Sequence, residues 1–213
     1  KKNTKNYNKD HNLNYLMILL KNLFKSFAFL SIVFIYQTLN FSIKAEEYDY
    51  GDYKYLNYFR YLDENDKKIL EIVDQTQKVL IYPKENTPYC KSENIWGYVN
   101  APVKYTDGYF RTDMTICTNR ILTFSNNSND ASYYLSETLH HEAFHTAQLC
   151  RFPPDFVAFG INNGNFSKVI RDKVYGAKVY EENNEEQNLI EMEAFYVEHK
   201  PKTVLLYLEN YCL

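Results

Sequence analysis

The sequence predicts an α+β fold in which a small mixed or antiparallel sheet is followed by a long helix and further C-terminal helices. Two patterns support it. Short β-branched and apolar runs lie within residues 79–122, and apolar residues recur at helical spacing from residue 131 onward. The length of 213 residues, with 45% hydrophobic and 24% charged residues, suits one globular domain with a short appendage.

The predicted domain begins with a helix and a short strand. Residues 63–77 should form the helix, because Asp63 or Asn65 can cap its N-terminus and an apolar stripe follows. The stripe consists of Ile69, Leu70, Ile72 and Val73. Residues 79–82 are predicted to be a strand that Pro83 ends, since proline has no N–H to donate to a sheet.

Two further strands and four helices are predicted along the rest of the chain. The strands are residues 95–103 and 108–122, joined by a turn at 106–108. The strongest helix covers residues 131–149, with Asn129, Asp130 or Ser132 as its N-cap. The other helices are predicted at residues 166–181, 185–199 and 201–208.

Residues 1–45 have the pattern of an export signal. An apolar run at residues 27–36 follows Lys21 and Lys25, and the small residue Ala45 lies where a cut would fall. The run is short for a membrane span, which needs about 20 residues. We therefore predict a signal peptide, with an uncleaved N-terminal membrane anchor or a buried core helix as the alternatives, and an exported domain at residues 46–213.

The charge of the chain argues against a nucleic-acid partner. Seven lysines and one aspartate give residues 1–45 a net charge of +6, and the whole chain carries −3. Residues 46–213 therefore carry −9, and an acidic domain does not attract a phosphate backbone.

Four cysteines lie in the predicted exported domain, at positions 90, 117, 150 and 212. An even number in an exported domain predicts two disulfides, and all three pairings remain open. The alternative is four buried thiols. No two of the cysteines form a Cys-x-x-Cys pair, so a structural zinc site built on cysteine is not expected.

The segment His141-Glu142-Ala143-Phe144-His145 lies inside the strongest predicted helix. Residues four apart share one helix face, so both imidazoles can reach one metal ion. Glu142 is rotated from that face by about a quarter of a turn and can meet a water molecule at the metal. This spacing predicts a Zn²⁺ site with Glu142 as a general base.

A catalytic zinc site needs a third protein ligand. Glu191 and Glu193 are the candidates, because both lie in a predicted helix with apolar neighbours. The motif and Glu191-x-x-Ala194 together resemble the gluzincins, which are zincin peptidases with a glutamate ligand. The resemblance favours Glu191, with Glu193 as the alternative. Phe195 stands where many members of that family have an aspartate, so the carboxylate orienting a histidine is missing or supplied elsewhere.

The resemblance implies a zincin-like metallohydrolase that cleaves a peptide or protein substrate. It also implies that the strand at residues 108–122 lines the substrate cleft. His140 is expected at the surface or beside a ligand, and Gln148 could bond substrate or a ligand. The group that stabilises an oxyanion remains open among Tyr175, Tyr180, Tyr196 and His199.

Two functions without catalysis remain as alternatives. One is a zinc-binding domain that has no activity, since a fold does not guarantee a reaction. The other is an interaction domain held by disulfides, in which the histidine spacing arose by chance.

Overall fold

A four-stranded mixed sheet and six α-helices make up the part of the chain that the computed structural model describes, residues 54, 56–91, 95–177 and 185–213. The predicted signal or anchor at residues 1–45 lies outside the described residues. All the described residues fall within one unit, residues 51–213. The α+β fold with a small mixed sheet is confirmed.

The sheet is built around one central strand. Strand β1 (Val79–Glu85) runs parallel to β4 (Phe110–Ile116), while β2 (Gly97–Val99) and β3 (Val103–Lys104) pair antiparallel with β4. The prediction that Pro83 ends the first strand is wrong. Within the described residues β1 pairs only with β4, and an edge strand tolerates a proline whose missing N–H faces outward.

Residues 118–124 form helix α2 (Thr118–Phe124) and not the end of a strand, which corrects the strand predicted at residues 108–122. The ladder ends where the N–H of Cys117 donates to the carbonyl of Trp96. The side chain of Asn86 then accepts a hydrogen bond from the N–H of Asn119 at 2.8 Å. A cap that comes from 33 residues away leaves no local pattern in the sequence.

Helices α1 (Glu64–Asp74) and α3 (Ser128–Arg151) both have side-chain caps. Asp63 caps α1 in a capping box with Asp66, as one of the two predicted candidates. The three caps predicted for α3 are wrong, because Asn127 accepts from the N–H groups at 129 and 130. The helix therefore begins three residues earlier than predicted.

Three further helices follow α3 in the chain. They are α4 (Lys168–Ala177), α5 (Glu185–Val197) and α6 (Pro201–Tyr211). Helix α3 packs against α1, α5, α6 and the sheet, and its C-terminal half is buried on nearly every face. A helix enclosed in this way can hold functional side chains in fixed positions.

Two disulfides, Cys90–Cys117 and Cys150–Cys212, answer the open question of pairing. The second joins the last turn of α3 to the residue after α6. Disulfides are typical of proteins from oxidising compartments, so the pair is consistent with an exported protein. No helix within the described residues is long and apolar enough to cross a membrane.

Candidate metal centre

Helices α3 and α5 bring His141, His145 and Glu191 together. The Nε2 atoms of the two histidines are 3.1 Å apart. Oxygen Oε2 of Glu191 lies 3.3 Å from Nε2 of His141, and Oε1 lies 3.3 Å from Nε2 of His145. All three side chains are largely buried. The predicted ligand triad is thus assembled in one place.

These separations fit the size of a zinc ion. Ligand atoms bound about 2.0–2.2 Å from a tetrahedral zinc lie roughly 3.3–3.6 Å from one another. The 3.1 Å between the two nitrogens and the two separations of 3.3 Å, each to a different oxygen of Glu191, lie within a few tenths of an ångström of that range. Two imidazole nitrogens and a carboxylate are also a donor set that zinc takes in catalytic sites. The residues present therefore fit the ion that the sequence predicted.

The electrostatics of the triad favour a cation among these side chains. Burial would lower the pKa of His141, but the neighbouring carboxylates of Glu191 and Glu198 outweigh it and raise that pKa to about 10. Burial also opposes a charge on His145, whose pKa is nevertheless raised by Glu191. Burial would raise the pKa of Glu191, yet His145 and His141 hold it well below its usual range.

Glu142 lies beside the triad in a pocket closed by β2. Its side chain is buried, and burial raises its pKa to about 6 against the opposing effect of His141 and His145. A Cβ at Gly97 would lie 2.7 Å from Cγ of Glu142 and 2.9 Å from its Oε1. Only glycine fits at position 97, which the sequence reasoning missed. A glycine within a predicted strand was the available signal, since it often marks a close approach.

The outer nitrogen of each histidine also has a partner. Nδ1 of His145 lies 2.8 Å from Oε1 of Gln148, and Nδ1 of His141 lies 3.7 Å from Oε2 of Glu198. Glu198 thus places a carboxylate near Nδ1 of His141, beyond hydrogen-bond distance, while the ring of Phe195 packs on the ring of His141 with the centroids 4.5 Å apart. Sequence reasoning missed Glu198, although its spacing of seven residues from Glu191 places both on one face of the predicted helix.

Glu193 is not brought to the two histidines. It is completely buried, and its carboxylate accepts from Gln148 and from the N–H groups of Phe159 and Ile161. His140 is buried and not at the surface, and its ring nitrogens lie 2.7 Å from Asp66 and from the carbonyl of Glu198.

Comparison with protein families adds one finding. The family model described as "Domain of unknown function (DUF8637)" matches residues 58–213. The chain belongs to the DUF8637 family. The DUF8637 match covers α1 to α6 and every residue of the triad. Comparisons with curated proteins and with solved structures found no match.

A cleft of about 1010 Å³ opens over the triad of this DUF8637 domain. Strand β2, helices α3 and α5, and residues 154–157 line it. No residue of the segment 108–122 does so, and the prediction that this segment lines the cleft is wrong. Strand β4 is central in the sheet, so its place at the cleft is taken by β2.

Strand β2 presents backbone groups to the cleft. The carbonyl of Trp96 accepts from the N–H of Cys117, and the N–H of Asn100 donates to Asp113, so these two residues face β4. Backbone groups alternate along an antiparallel strand, and those of Gly97 and Val99 therefore point to the other edge. Among the described residues no strand pairs with that edge.

Of the residues predicted as candidates for oxyanion stabilisation, those that the structure describes are not found at the cleft of the DUF8637 domain. Tyr175, Tyr196 and His199 do not line the cleft, and Tyr180 lies outside the described residues. Lys173, which the sequence reasoning did not single out, lines the cleft with its Nζ 2.6 Å from Oε1 of Glu198.

Proposed function

We propose that this protein is a zinc-dependent hydrolase of the zincin-like type that cleaves peptide bonds. The observation that carries the proposal is the set of separations among His141, His145 and Glu191, which lie within a few tenths of an ångström of those expected between ligands of a tetrahedral zinc. These three residues are the proposed ligands. A buried carboxylate beside them, Glu142, supports a catalytic rather than a purely structural site.

Zinc held by these ligands would activate a water molecule near neutral pH and polarise a carbonyl oxygen. Glu142 would take the proton from the water and later deliver it to the leaving amine. In the metal-free protein burial raises the pKa of Glu142 to about 6, so the group is charged at neutral pH and is a stronger base than an exposed glutamate. Burial beneath β2 keeps the carboxylate in one orientation.

The edge of β2 supports a peptide as substrate. The outward backbone groups of Gly97 and Val99 can pair with an extended chain, as in strand addition. Gly97 also contacts Glu142, so a chain bound on this edge would pass beside the general base. The two disulfides support action outside the cytoplasm, in a periplasmic, luminal or extracellular space.

Hydrolysis of a peptide library by the zinc-loaded protein, compared between wild type and Glu142→Gln, tests the proposal. We expect the variant to retain zinc and to lose at least about 100-fold in activity, since proton transfer contributes about that much. Equal activity of the two proteins would contradict the role of Glu142. Zinc binding without hydrolysis of any peptide would favour an inactive zinc-binding domain.

A further inference from the structure

We propose that Gln148 and Glu193 are positioning residues. They hold the ring of His145 in the orientation and tautomer needed to bind a metal, and they connect His145 through hydrogen bonds to the wall of the cleft. The inference rests on the proposed function, because His145 is a ligand in it. Both residues are completely buried, so each polar atom needs a partner within the protein. The partners form one connected network.

The amide of Gln148 has only one orientation that satisfies its neighbours. Nitrogen Nε2 lies 3.1 Å from the carbonyl oxygen of Ile190 and 3.0 Å from Oε2 of Glu193. A carbonyl and a carboxylate accept hydrogen bonds, so the NH₂ group must face them. Oε1 of Gln148 is then the atom 2.8 Å from Nδ1 of His145.

This orientation determines the tautomer of His145. Because Oε1 of Gln148 can only accept, Nδ1 of His145 must carry a hydrogen. The lone pair of the neutral ring then lies on Nε2, the atom 3.3 Å from Glu191 and 3.1 Å from His141. A reversed amide would place a hydrogen on Nε2, where it would block a metal ion.

The carboxylate of Glu193 accepts hydrogen bonds both from the amide of Gln148 and from the backbone beside the cleft wall. Its Oε2 also accepts from the N–H of Phe159 at 2.7 Å, and its Oε1 accepts from the N–H of Ile161 at 2.8 Å. Three donors offset the cost of burying this side chain. Phe159 and Ile161 follow the segment 154–157 that lines the cleft, so one carboxylate positions both the ligand and the wall.

A carboxylate is required at position 193 because all three of its partners donate. Glutamine there would offer one acceptor oxygen and an NH₂ group facing N–H donors. Glu193→Gln should therefore break at least one of the bonds, while keeping the shape of the side chain. Gln148→Met likewise keeps the length of the side chain and removes every hydrogen bond that the side chain of Gln148 makes.

The first test is solvent exchange of the Hδ1 hydrogen of His145 in metal-free protein. Nuclear magnetic resonance of ¹⁵N-histidine-labelled protein detects it, and His145→Ala identifies the signal. We expect a slowly exchanging signal in wild type that is lost in Gln148→Met. A signal absent from wild type, or retained in Gln148→Met, would overturn the proposal.

The second test is zinc affinity, measured by competition with a chelator. We expect Glu193→Gln and Gln148→Met to bind zinc about 10-fold to 100-fold more weakly, as is typical for partners of metal ligands. Glu185→Gln makes the same change on the exposed start of α5, and Val204→Ala weakens the core in α6. Both controls should bind zinc as wild type does.

The outcomes separate this inference from the proposed function. A folded variant of the network that loses less than about tenfold in affinity would overturn the inference. If Glu193→Gln fails to fold, Gln148→Met and the exchange measurement decide. Wild-type protein that binds no zinc would contradict the proposed function, while the exchange signal of metal-free His145 would still test the inference.

Discussion

Gly97 on β2 lies directly against the side chain of Glu142 on α3, so closely that a Cβ at position 97 would be 2.7 Å from Cγ of Glu142. The edge strand and the proposed general base are therefore in direct contact. Any side chain added at Gly97 must move Glu142, move β2, or both.

Gly97→Ala should reduce peptide hydrolysis by about 100-fold, because a shift of about 1 Å in a catalytic group can cost that much. Zinc content should stay the same, since the metal ligands do not contact Gly97. Initial rates and elemental analysis measure the two effects.

Gly108→Ala is the control for this prediction. Gly108 has a φ of 89°, so the substitution strains the backbone, but a Cβ there meets nothing within 4 Å. It should lose stability and keep activity. An active Gly97→Ala protein would show that β2 does not determine the position of Glu142.

Glu198→Gln should weaken zinc binding by about 10-fold to 100-fold, because it removes the carboxylate beside Nδ1 of His141. Glu209→Gln is a matched control. Glu209 and Glu198 each lie 2.6 Å from a lysine Nζ, but Glu209 is exposed on α6 and does not line the cleft. Chelator competition should show a change only for Glu198. Equal affinities of the two variants would exclude a role for Glu198 at the metal.

Zinc binding should release protons near neutral pH. In metal-free protein the pKa of His141 is about 10, so its ring is charged below that pH, while a ligand must be neutral. At least one proton should leave per zinc bound, and apparent affinity should rise about tenfold per pH unit between pH 7 and 9. Calorimetry in buffers of different ionisation enthalpy counts the protons. Binding without proton release would contradict the assignment of His141 as a ligand.

The disulfide between Cys150 and Cys212 should stabilise the fold substantially, because it closes a loop of 62 residues. Replacing both cysteines by alanine should lower the free energy of unfolding by roughly 4 kcal/mol, as chain entropy predicts. Replacing Cys90 and Cys117 should cost slightly less, since that loop spans 27 residues. Urea denaturation compares the two. If each double variant lost less than about 1 kcal/mol in its free energy of unfolding, the disulfides would not restrict the unfolded chain as the chain-entropy argument requires.

Local patterns predicted much of the fold and the main part of the site. Helical spacing placed His141 and His145 on one face, and the resemblance to gluzincins favoured Glu191, which is the residue near both. Features that depend on distant partners were missed. Asn86, for example, caps α2 from 33 residues away. Glu198 was missed for another reason, since its spacing of seven residues from Glu191, which puts both on one helix face, was not used.

The choice between Glu191 and Glu193 shows the same limit. Residues two apart on a helix point in different directions, so only one can face α3 at the triad. Which one does so depends on the loop at residues 158–161, whose N–H groups bind Glu193. No pattern in the sequence of α5 alone contains that information.

The most direct test of the account is the zinc content of purified protein after incubation with zinc and dialysis. We predict one zinc ion per wild-type chain, and almost none in His141→Ala, His145→Ala or Glu191→Ala. Glu185→Ala, on the exposed first turn of the same helix as Glu191, should retain the ion. Wild-type protein without zinc, or Glu191→Ala with full zinc content, would contradict the proposed centre.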